Sequence, residues 1–472
     1  MENEARKEGE REEQLKELLE CNEELKRENA ELKREVEELK REVEELKREL
    51  GKNSKNSDKA PSSDGYRKKK VEVGIAKEGK KAKGGQEGHK GRTLEQVSEA
   101  DYVELHSPRE CERCGREFRE GEVKESGESR QVYDLPKSVL EVTEHRLGEA
   151  ECCGMLQRGE YPREVRASVQ YGARVRALVT KLSIDHRLPM KQISQMFADQ
   201  YGYEINSSTI EDILERGYKL AEELEVQIKE RLKASELLHV DETGLRVSGK
   251  LQWLHGAATD KLTYLFIHPK RGKTALEAPN SILKDFRATM LHDCWASYFG
   301  FSQAKHALCG SHLLRELKAL WEAGSAWAAS MHSLLLKFYH MPRPLHDPQV
   351  ALDDYRLILA QADIQEPPPF KALKGRPKQS KGRNLLERLR KYETAVLAFA
   401  LEPNIPFTNN QIERDLRPAK VKQKVSTCFR TDFGAVVFAR LQSLVSTFRK
   451  QGLNVFSSFV DLFSHKSIKL LL

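Results

Sequence analysis

Residues 237–267 constrain the fold of this chain more than any other stretch. Leu237, Leu238 and Val240 form a short apolar run that breaks on Asp241 and Glu242 and then on Gly244. That pattern predicts a buried strand delivering Asp241 to the edge of a sheet. Strand-prone runs follow at 245–247, 251–257 and 262–267, separated by Ser248-Gly249-Lys250 and Thr259-Asp260-Lys261. Both separators have turn chemistry, so hairpins are expected. After an expected helix ending near Phe286, residues 288–291 form another apolar run, and it too ends on an aspartate, in His292-Asp293. Two strands therefore present two aspartates. Glu242 lies next to the first, but alternation along a strand turns it to the opposite face.

A third carboxylate has a helical setting. In the segment 407–418 (FTNNQIERDLRP), Thr408, Asn409 and Asn410 are good N-cap residues. Glu413 is therefore expected in the first turns of a helix stopped by Pro418. Asp241 and Asp293 are 52 residues apart and Asp293 and Glu413 are 120 apart.

With these acids in place, the sequence resembles the DDE transposases of the insertion sequence 66 family. The resemblance rests on VDETG at 240–244, HDCWASY at 292–298, HALCGSHLLREL at 306–317 and NNQIERDLRP at 409–418. Weaker echoes extend toward the N-terminus. It implies a ribonuclease H-like catalytic core in which Asp241, Asp293 and Glu413 hold two Mg²⁺ (or Mn²⁺) ions, with Asp241 bridging them. The implied activity is cleavage at the ends of an insertion element and strand transfer into target DNA.

The full expected architecture is multidomain α/β. A leucine-zipper coiled coil (1–50) leads through a basic linker (51–100) to a small zinc-binding module (101–160) and a helical domain (161–235). A mixed-sheet catalytic domain (236–455) with an α-helical insertion at about 318–402 and a short tail (456–472) complete the chain. The zipper is explicit: Leu18, Leu25, Leu32, Leu39 and Leu46 occupy d positions, and Leu15, Asn22, Asn29, Val36, Val43 and Leu50 occupy a. Glu28, Glu35 and Glu42 at g face Lys33, Lys40 and Lys47 at e, and Asn at a favours a parallel, in-register homodimer.

The net charge of +7 hides an asymmetry, because residues 51–92 carry 13 Lys or Arg against 5 Asp or Glu. Lys68, Lys69, Lys70 and His89 in this arm are candidate DNA contacts, while a solubilising tether is the plainer alternative. Arg414, Arg417, Lys420 and Lys422, beside the third acid, are candidate phosphate contacts. Neither an apolar signal core at the N-terminus nor 18 consecutive apolar residues occurs, so a cytoplasmic, nucleoid-associated protein is expected.

Eight cysteines in a chain this long do not suggest a disulfide framework. Four are grouped: Cys111 and Cys114 in a C-x2-C-G knuckle, and the adjacent Cys152 and Cys153. A structural Zn²⁺ is expected there, with His145 a possible substitute because adjacent cysteines do not easily share one ion. Members of the resembled family usually separate the second pair by one or two residues.

Segments 190–203 and 207–214 suggest two helices around a tight turn, with Ser207, Ser208, Thr209 and Glu211 beginning the second. Helix-turn-helix DNA reading and a structural brace remain open for them. Cys309 and His312, with His306 nearby, invite a metal, but packing and positioning is the preferred role. A helix over 436–450 should pack on the core. Beyond a transposase, with helper proteins of the same element as candidate partners, two alternatives stay open. One is a non-catalytic zipper and zinc-finger DNA-binding regulator or inactive remnant; the other is a coiled-coil scaffold.

Overall fold

The computed structural model describes parts of residues 22–43 and residues 96–471, apart from 120–121, 123, 125–128, 134–139, 154, 163 and 369–378. The basic arm with Lys68, Lys69, Lys70 and His89 lies outside the described residues, as do Leu15, Leu18, Leu46 and Leu50 of the zipper. Described positions between Asn22 and Val43 are helical. The chain divides into two compact units: one comprises Met1–Arg67, Arg146–Phe197 and Glu204–Leu472, the other Lys68–His145 and Ala198–Tyr203.

A hairpin of β1 (Glu149–Cys152) and β2 (Met155–Arg158) precedes the helices α1 (Ala173–Thr180), α2 (Met190–Tyr201), α3 (Ser207–Leu220) and α4 (Glu222–Lys233), all in the larger unit except the end of α2 from Ala198 on. Asn206 caps α3 by accepting from the Thr209 N–H at 3.0 Å, so Ser207, Ser208 and Thr209 do open that helix. The hairpin puts Cys152 at the end of its first strand and Cys153 in its turn.

The sheet is built from β3 (Leu237–Val247), β4 (Lys250–Ala258), β5 (Thr263–His268), β6 (Thr289–His292) and β7 (Lys305–Leu308) in the order β5-β4-β3-β6-β7. β3, β4 and β5 form an antiparallel meander, whereas β6 and β7 run parallel to β3. Ser248 and Gly249 both take positive φ (50° and 75°) in the two-residue turn between β3 and β4, the conformation a tight hairpin turn demands. Only a short helix, α5 (Lys273–Leu276), and one 3₁₀ turn, Leu283–Asp285, occupy the stretch where a helix ending near Phe286 was expected.

Helices enclose the sheet. α6 (Gly310–Glu322), α7 (Ala326–His340), α8 (Pro348–Gln365), α9 (Lys381–Lys391) and α10 (Glu393–Leu401) share one apolar core with β6 and β7, including Leu291, Leu308, Leu317, Trp327 and Tyr355. α11 (Asn410–Ser426) lies on β3 and β4, and α12 (Asp432–Lys450) lies on β5. α12 is buried almost all round, yet it carries Ser443 and Thr447 inside. Their hydroxyls accept from the Leu265 and Thr263 N–H groups at 2.9 and 3.1 Å, which satisfies the outer edge of β5 and closes it to further strands.

Two expectations are corrected here. Pro418 does not stop the helix carrying Glu413, because α11 continues through it to Ser426. Residues 456–472 are not merely a tail, since α13 (Val455–Phe463) buries Phe459 and Phe463 against the α1 side of the fold. No helix among the described residues is long and apolar enough to cross a membrane.

Candidate active site

The parallel register sets up the site. β3 and β6 pair through Leu237 with Thr289, Leu238 with Met290, and His239 with Leu291. Continued two residues, that register sets Asp241 of β3 beside Asp293, which directly follows β6, and the Asp293 charge acts on the Asp241 carboxyl. Asp241 accepts the Glu242 N–H at 2.8 Å, and Asp293 accepts the Trp295 N–H at 2.9 Å in a local turn. Cys294, directly after Asp293, has φ +74°, a left-handed conformation costly for a non-glycine residue and typical of functional turns.

Burial and the neighbouring Glu242 and Asp293 carboxylates raise the Asp241 carboxyl well above the usual range. Like charges packed together out of water disfavour the ionised form, which is the electrostatic condition a bound cation relieves.

Glu413 reaches the same edge because α11 is stapled to β3. Asn409, fully buried, donates from its amide to the Val240 carbonyl at 2.9 Å and pairs through Oδ1 with His239 Nδ1 at 3.0 Å. Its backbone N–H also donates to Cys309 Sγ at 3.2 Å. Asn409 stands at the N-cap position, but its side chain bonds sideways to the sheet rather than to the helix. On the sheet, Gly256 pairs with Asp241 across β3 and β4. A Cβ at Gly256 would stand 2.6 Å from Ile412 Cδ1, so the absence of a side chain there lets α11 approach.

Two residues that sequence reasoning assigned to packing join this cluster. Cys309 follows β7 as the N-cap of α6, and His312 lies one turn later. His312 Nδ1 is 3.9 Å from Glu413 Oε1. Ligand atoms of Cys309, His312 and Glu413 all lie within 4.8 Å of one another. Both Glu413 Oε1 and His312 Nδ1 are buried with no hydrogen-bond partner among the described residues. Burial pushes the His312 imidazole down, but the Cys309 sulfur and Glu413 carboxylate outweigh it and hold the group at about 9. His306 takes no part; it meets His292 Nε2 at 3.1 Å and the Phe301 carbonyl at 3.3 Å.

Glu242 does turn away from Asp241, into a network of its own. Its carboxylate accepts from Arg271 Nε at 2.7 Å and Tyr298 OH at 2.5 Å. Burial still raises it above its ordinary value, with Tyr298 and Arg271 opposing. The Arg271 guanidinium stands 4.9 Å from the Trp253 ring and 4.4 Å from the Trp295 ring. Sequence gave no signal for Arg271, because its partners come from three separate segments.

The candidate basic contacts divide. Arg414 and Arg417 are exposed on α11 beside Glu413. Lys420 is exposed and donates to the Gly244 carbonyl. Lys422 is turned inward, donating to the Leu188, Ser183 and Arg187 carbonyls at 3.0, 3.3 and 3.5 Å, and burial lowers it to about 8. Those bonds tie Lys422 to the 183–188 segment.

In the smaller unit, Cys111 and Cys114 flank a tight knuckle. The Gly115 N–H donates to the Cys111 carbonyl at 2.8 Å, with Gly115 at φ +70°, and Glu110 and Glu117 form an antiparallel bridge. N–H groups of Arg113 and Cys114 lower the Cys111 thiol from its ordinary value. In the larger unit, Cys152 ends β1 and Cys153 sits in the hairpin turn at φ +53°.

Two neighbouring aspartates of a mixed sheet, a glutamate on the helix tied to β3 and exposed arginines beside that glutamate put acidic and basic side chains on one side of the sheet. A sequence model of the Transposase IS66 family matches residues 168–437, more than half of the chain, and spans all three acids. The chain belongs to the IS66 transposase family. Residues 6–95 match a Family of unknown function (DUF6444). No curated protein matches the chain.

Proposed function

We propose that the chain binds the terminal inverted repeats of an insertion sequence and catalyses Mg²⁺-dependent strand cleavage and strand transfer through Asp241, Asp293 and Glu413. What supports this function is that the β3–β6 register sets Asp241 beside Asp293, while Asn409 ties the start of the helix carrying Glu413 to β3. The strand order, an antiparallel meander continued by two parallel strands, supports a ribonuclease H-like core.

The donor set fits hard divalent ions, which take carboxylate oxygens. Glu413 Oε1 has no hydrogen-bond partner among the described residues, and Asp241 is held above its usual range by burial and by its acidic neighbours. Asp241, Asp293 and Glu413 would hold two Mg²⁺ (or Mn²⁺) ions, with Asp241 between the other two. Bound there, the ions supply an activated nucleophile and a stabilised leaving oxygen for phosphodiester exchange. The chain does the rest. Arg414 and Arg417 bind phosphates and set the register of the strand. Asn409 fixes the angle at which α11 presents Glu413. Lys420, tied to the Gly244 carbonyl, is a lesser contact, and Lys422 stays with its three carbonyls.

The binding parts follow the same assignment. Leu25, Leu32, Val36, Leu39 and Val43 are 48–58% exposed in the single chain, an apolar stripe that a second copy would cover in a homodimer. Cys111 and Cys114 would supply two thiolates to a structural Zn²⁺. The basic arm, with Lys68, Lys69, Lys70 and His89, would follow the DNA backbone. Contacts to about five phosphates give a log–log salt slope near −4.5, which deletion of residues 51–92 should flatten.

Incubation of the full chain with a terminal-repeat duplex and Mg²⁺ tests the proposal. Cutting at the element end, abolished in Asp241→Asn, Asp293→Asn and Glu413→Gln with end binding retained, is the expected result. Cleavage that survives all three substitutions refutes it.

A further inference from the structure

We propose that Cys309, His312 and Glu413 form a cation site of their own, selective for thiophilic divalent ions such as Zn²⁺, whose occupation blocks strand cleavage by taking Glu413 away from Asp241 and Asp293. The second half of the proposal rests on the function assigned above; the site itself does not.

Three observations carry it. The first is the donor set: one sulfur, one imidazole nitrogen and one carboxylate oxygen, with ligand atoms within 4.8 Å of one another. Bonds of ~2.3 Å to sulfur and ~2.0–2.2 Å to nitrogen and oxygen place tetrahedral donors about 3.3–3.7 Å apart. The 3.9 Å between His312 Nδ1 and Glu413 Oε1 is already close to that value, and small side-chain rotations close the remainder. The second is that Nδ1 and Oε1 are both buried and unpartnered among the described residues, so no internal hydrogen bond has to break for one cation to take both. The third is that the ligands are seated from behind. Cys309 and His312 are three residues apart at the start of α6 and share a face, and the Asn409 N–H donates to the Cys309 sulfur at 3.2 Å. Outer hydrogen bonds of this kind orient metal ligands.

Softness separates this site from the proposed catalytic one. Mg²⁺ takes oxygen and seldom sulfur, whereas thiolate and imidazole suit zinc. Three protein ligands leave the fourth position of a tetrahedral ion to water. Binding forms the S–metal, N–metal and O–metal bonds and releases to solvent the protons held on the Cys309 sulfur and on the His312 imidazolium. Because Glu413 has one carboxylate to give and α11 is pinned at Asn409, zinc occupation and a complete Mg²⁺ shell compete.

The test uses the full chain, metal-stripped and reloaded with Co²⁺ as a spectroscopic probe for zinc. Cys309→Ser and, separately, His312→Gln are compared with the unsubstituted protein, each checked for folding by circular dichroism. The expected result is one fewer bound Co²⁺ per chain in Cys309→Ser, with a smaller cobalt–thiolate absorption band. His312→Gln keeps the sulfur but loses a direct ligand, so it binds more weakly by at least the ~10- to 100-fold that loss of an outer-shell partner costs. In parallel, zinc inhibition of Mg²⁺-dependent cleavage, scored relative to each variant's own uninhibited rate, weakens by a similar factor. The cysteines at 111, 114, 152 and 153 are untouched in both variants, so the difference isolates this site. Unchanged cobalt stoichiometry and band intensity in folded Cys309→Ser overturn the site. Loss of the ion with unchanged zinc sensitivity overturns the competition. A protein that never cleaves DNA overturns the proposed function, while the cobalt count still decides the site.

Discussion

Gly256→Ala is the smallest change that should separate Glu413 from the two aspartates. The added Cβ would stand 2.6 Å from Ile412 Cδ1, 3.1 Å from Leu265 Cδ2 and 3.2 Å from Ile412 Cγ1. Carbon atoms rest at about 3.5–4.0 Å, so the overlap with Cδ1 is roughly 1 Å. Ile412 is fully buried and has little free volume to rotate into. Relief therefore comes in part from α11 lifting off β4, and Glu413 follows Ile412 by one residue. Overpacking of this size costs about 1–3 kcal/mol. A misplacement of about 1 Å in a catalytic group costs on the order of 100-fold in rate. Gly256→Ala should thus lower the urea midpoint modestly and reduce Mg²⁺-dependent end cleavage far more than end binding. Ile412→Val removes Cδ1, the atom that clashes. By itself it should cost about 0.5–1.5 kcal/mol, and in the Gly256→Ala background it should recover much of the lost cleavage. Unfolding curves and single-turnover cleavage of the four proteins complete the cycle. Wild-type cleavage in Gly256→Ala, or no recovery in the double variant, would refute the role given to this close approach.

Further outcomes follow from the same geometry. Asn409→Ala strands the buried Val240 carbonyl and His239 Nδ1, so a loss of roughly 2–4 kcal/mol is expected by urea unfolding. Arg271→Ala should cost about 1–2 kcal/mol after allowance for the 42% exposure of its side chain, because Glu242 keeps Tyr298 but loses its counter-charge. Glu242→Gln should be milder than Arg271→Ala. The raised Asp241 carboxyl gives a pH signature in metal-free protein: its contribution is fully present below the unfolded carboxylate range and is lost as pH rises through the folded value. Asp241→Asn should therefore melt higher than wild type at neutral pH without Mg²⁺ while failing to cleave, and the gap should close in acid. Leu32→Asp, within the exposed heptad stripe, should convert the dimer to monomer in light scattering of the full chain.

Much of the site's frame was legible because it depends on local pattern. The apolar runs ending on Asp241 and Asp293 do form adjacent strands, with β6 shifted by one residue to Thr289–His292. Glu413 lies in the first turn of its helix, as the preceding asparagines suggested. What escaped was long-range or depended on facing. Asn409 reads as a cap in isolation, and only tertiary structure shows it spent on Val240 and His239. His312 and Glu413 are 101 positions apart in sequence and meet only because α6 and α11 start at the same edge. Lys422 looks like any surface lysine of a basic helix until its three carbonyl partners are seen. Residues 455–463 carry a single charge, Asp461, yet Asn454 caps α13 by accepting the Ser457 N–H at 3.0 Å, a signal available from sequence.

The central claim is that Asp241, Asp293 and Glu413 share a pair of divalent ions. Crystals of the full chain with a terminal-repeat duplex, grown in Mn²⁺ and measured for anomalous scattering, address it directly. Two peaks about 3.5–4 Å apart, with Asp241 touching both, are predicted. Peaks placed elsewhere, with the three carboxylates free of metal in the presence of DNA, would contradict it.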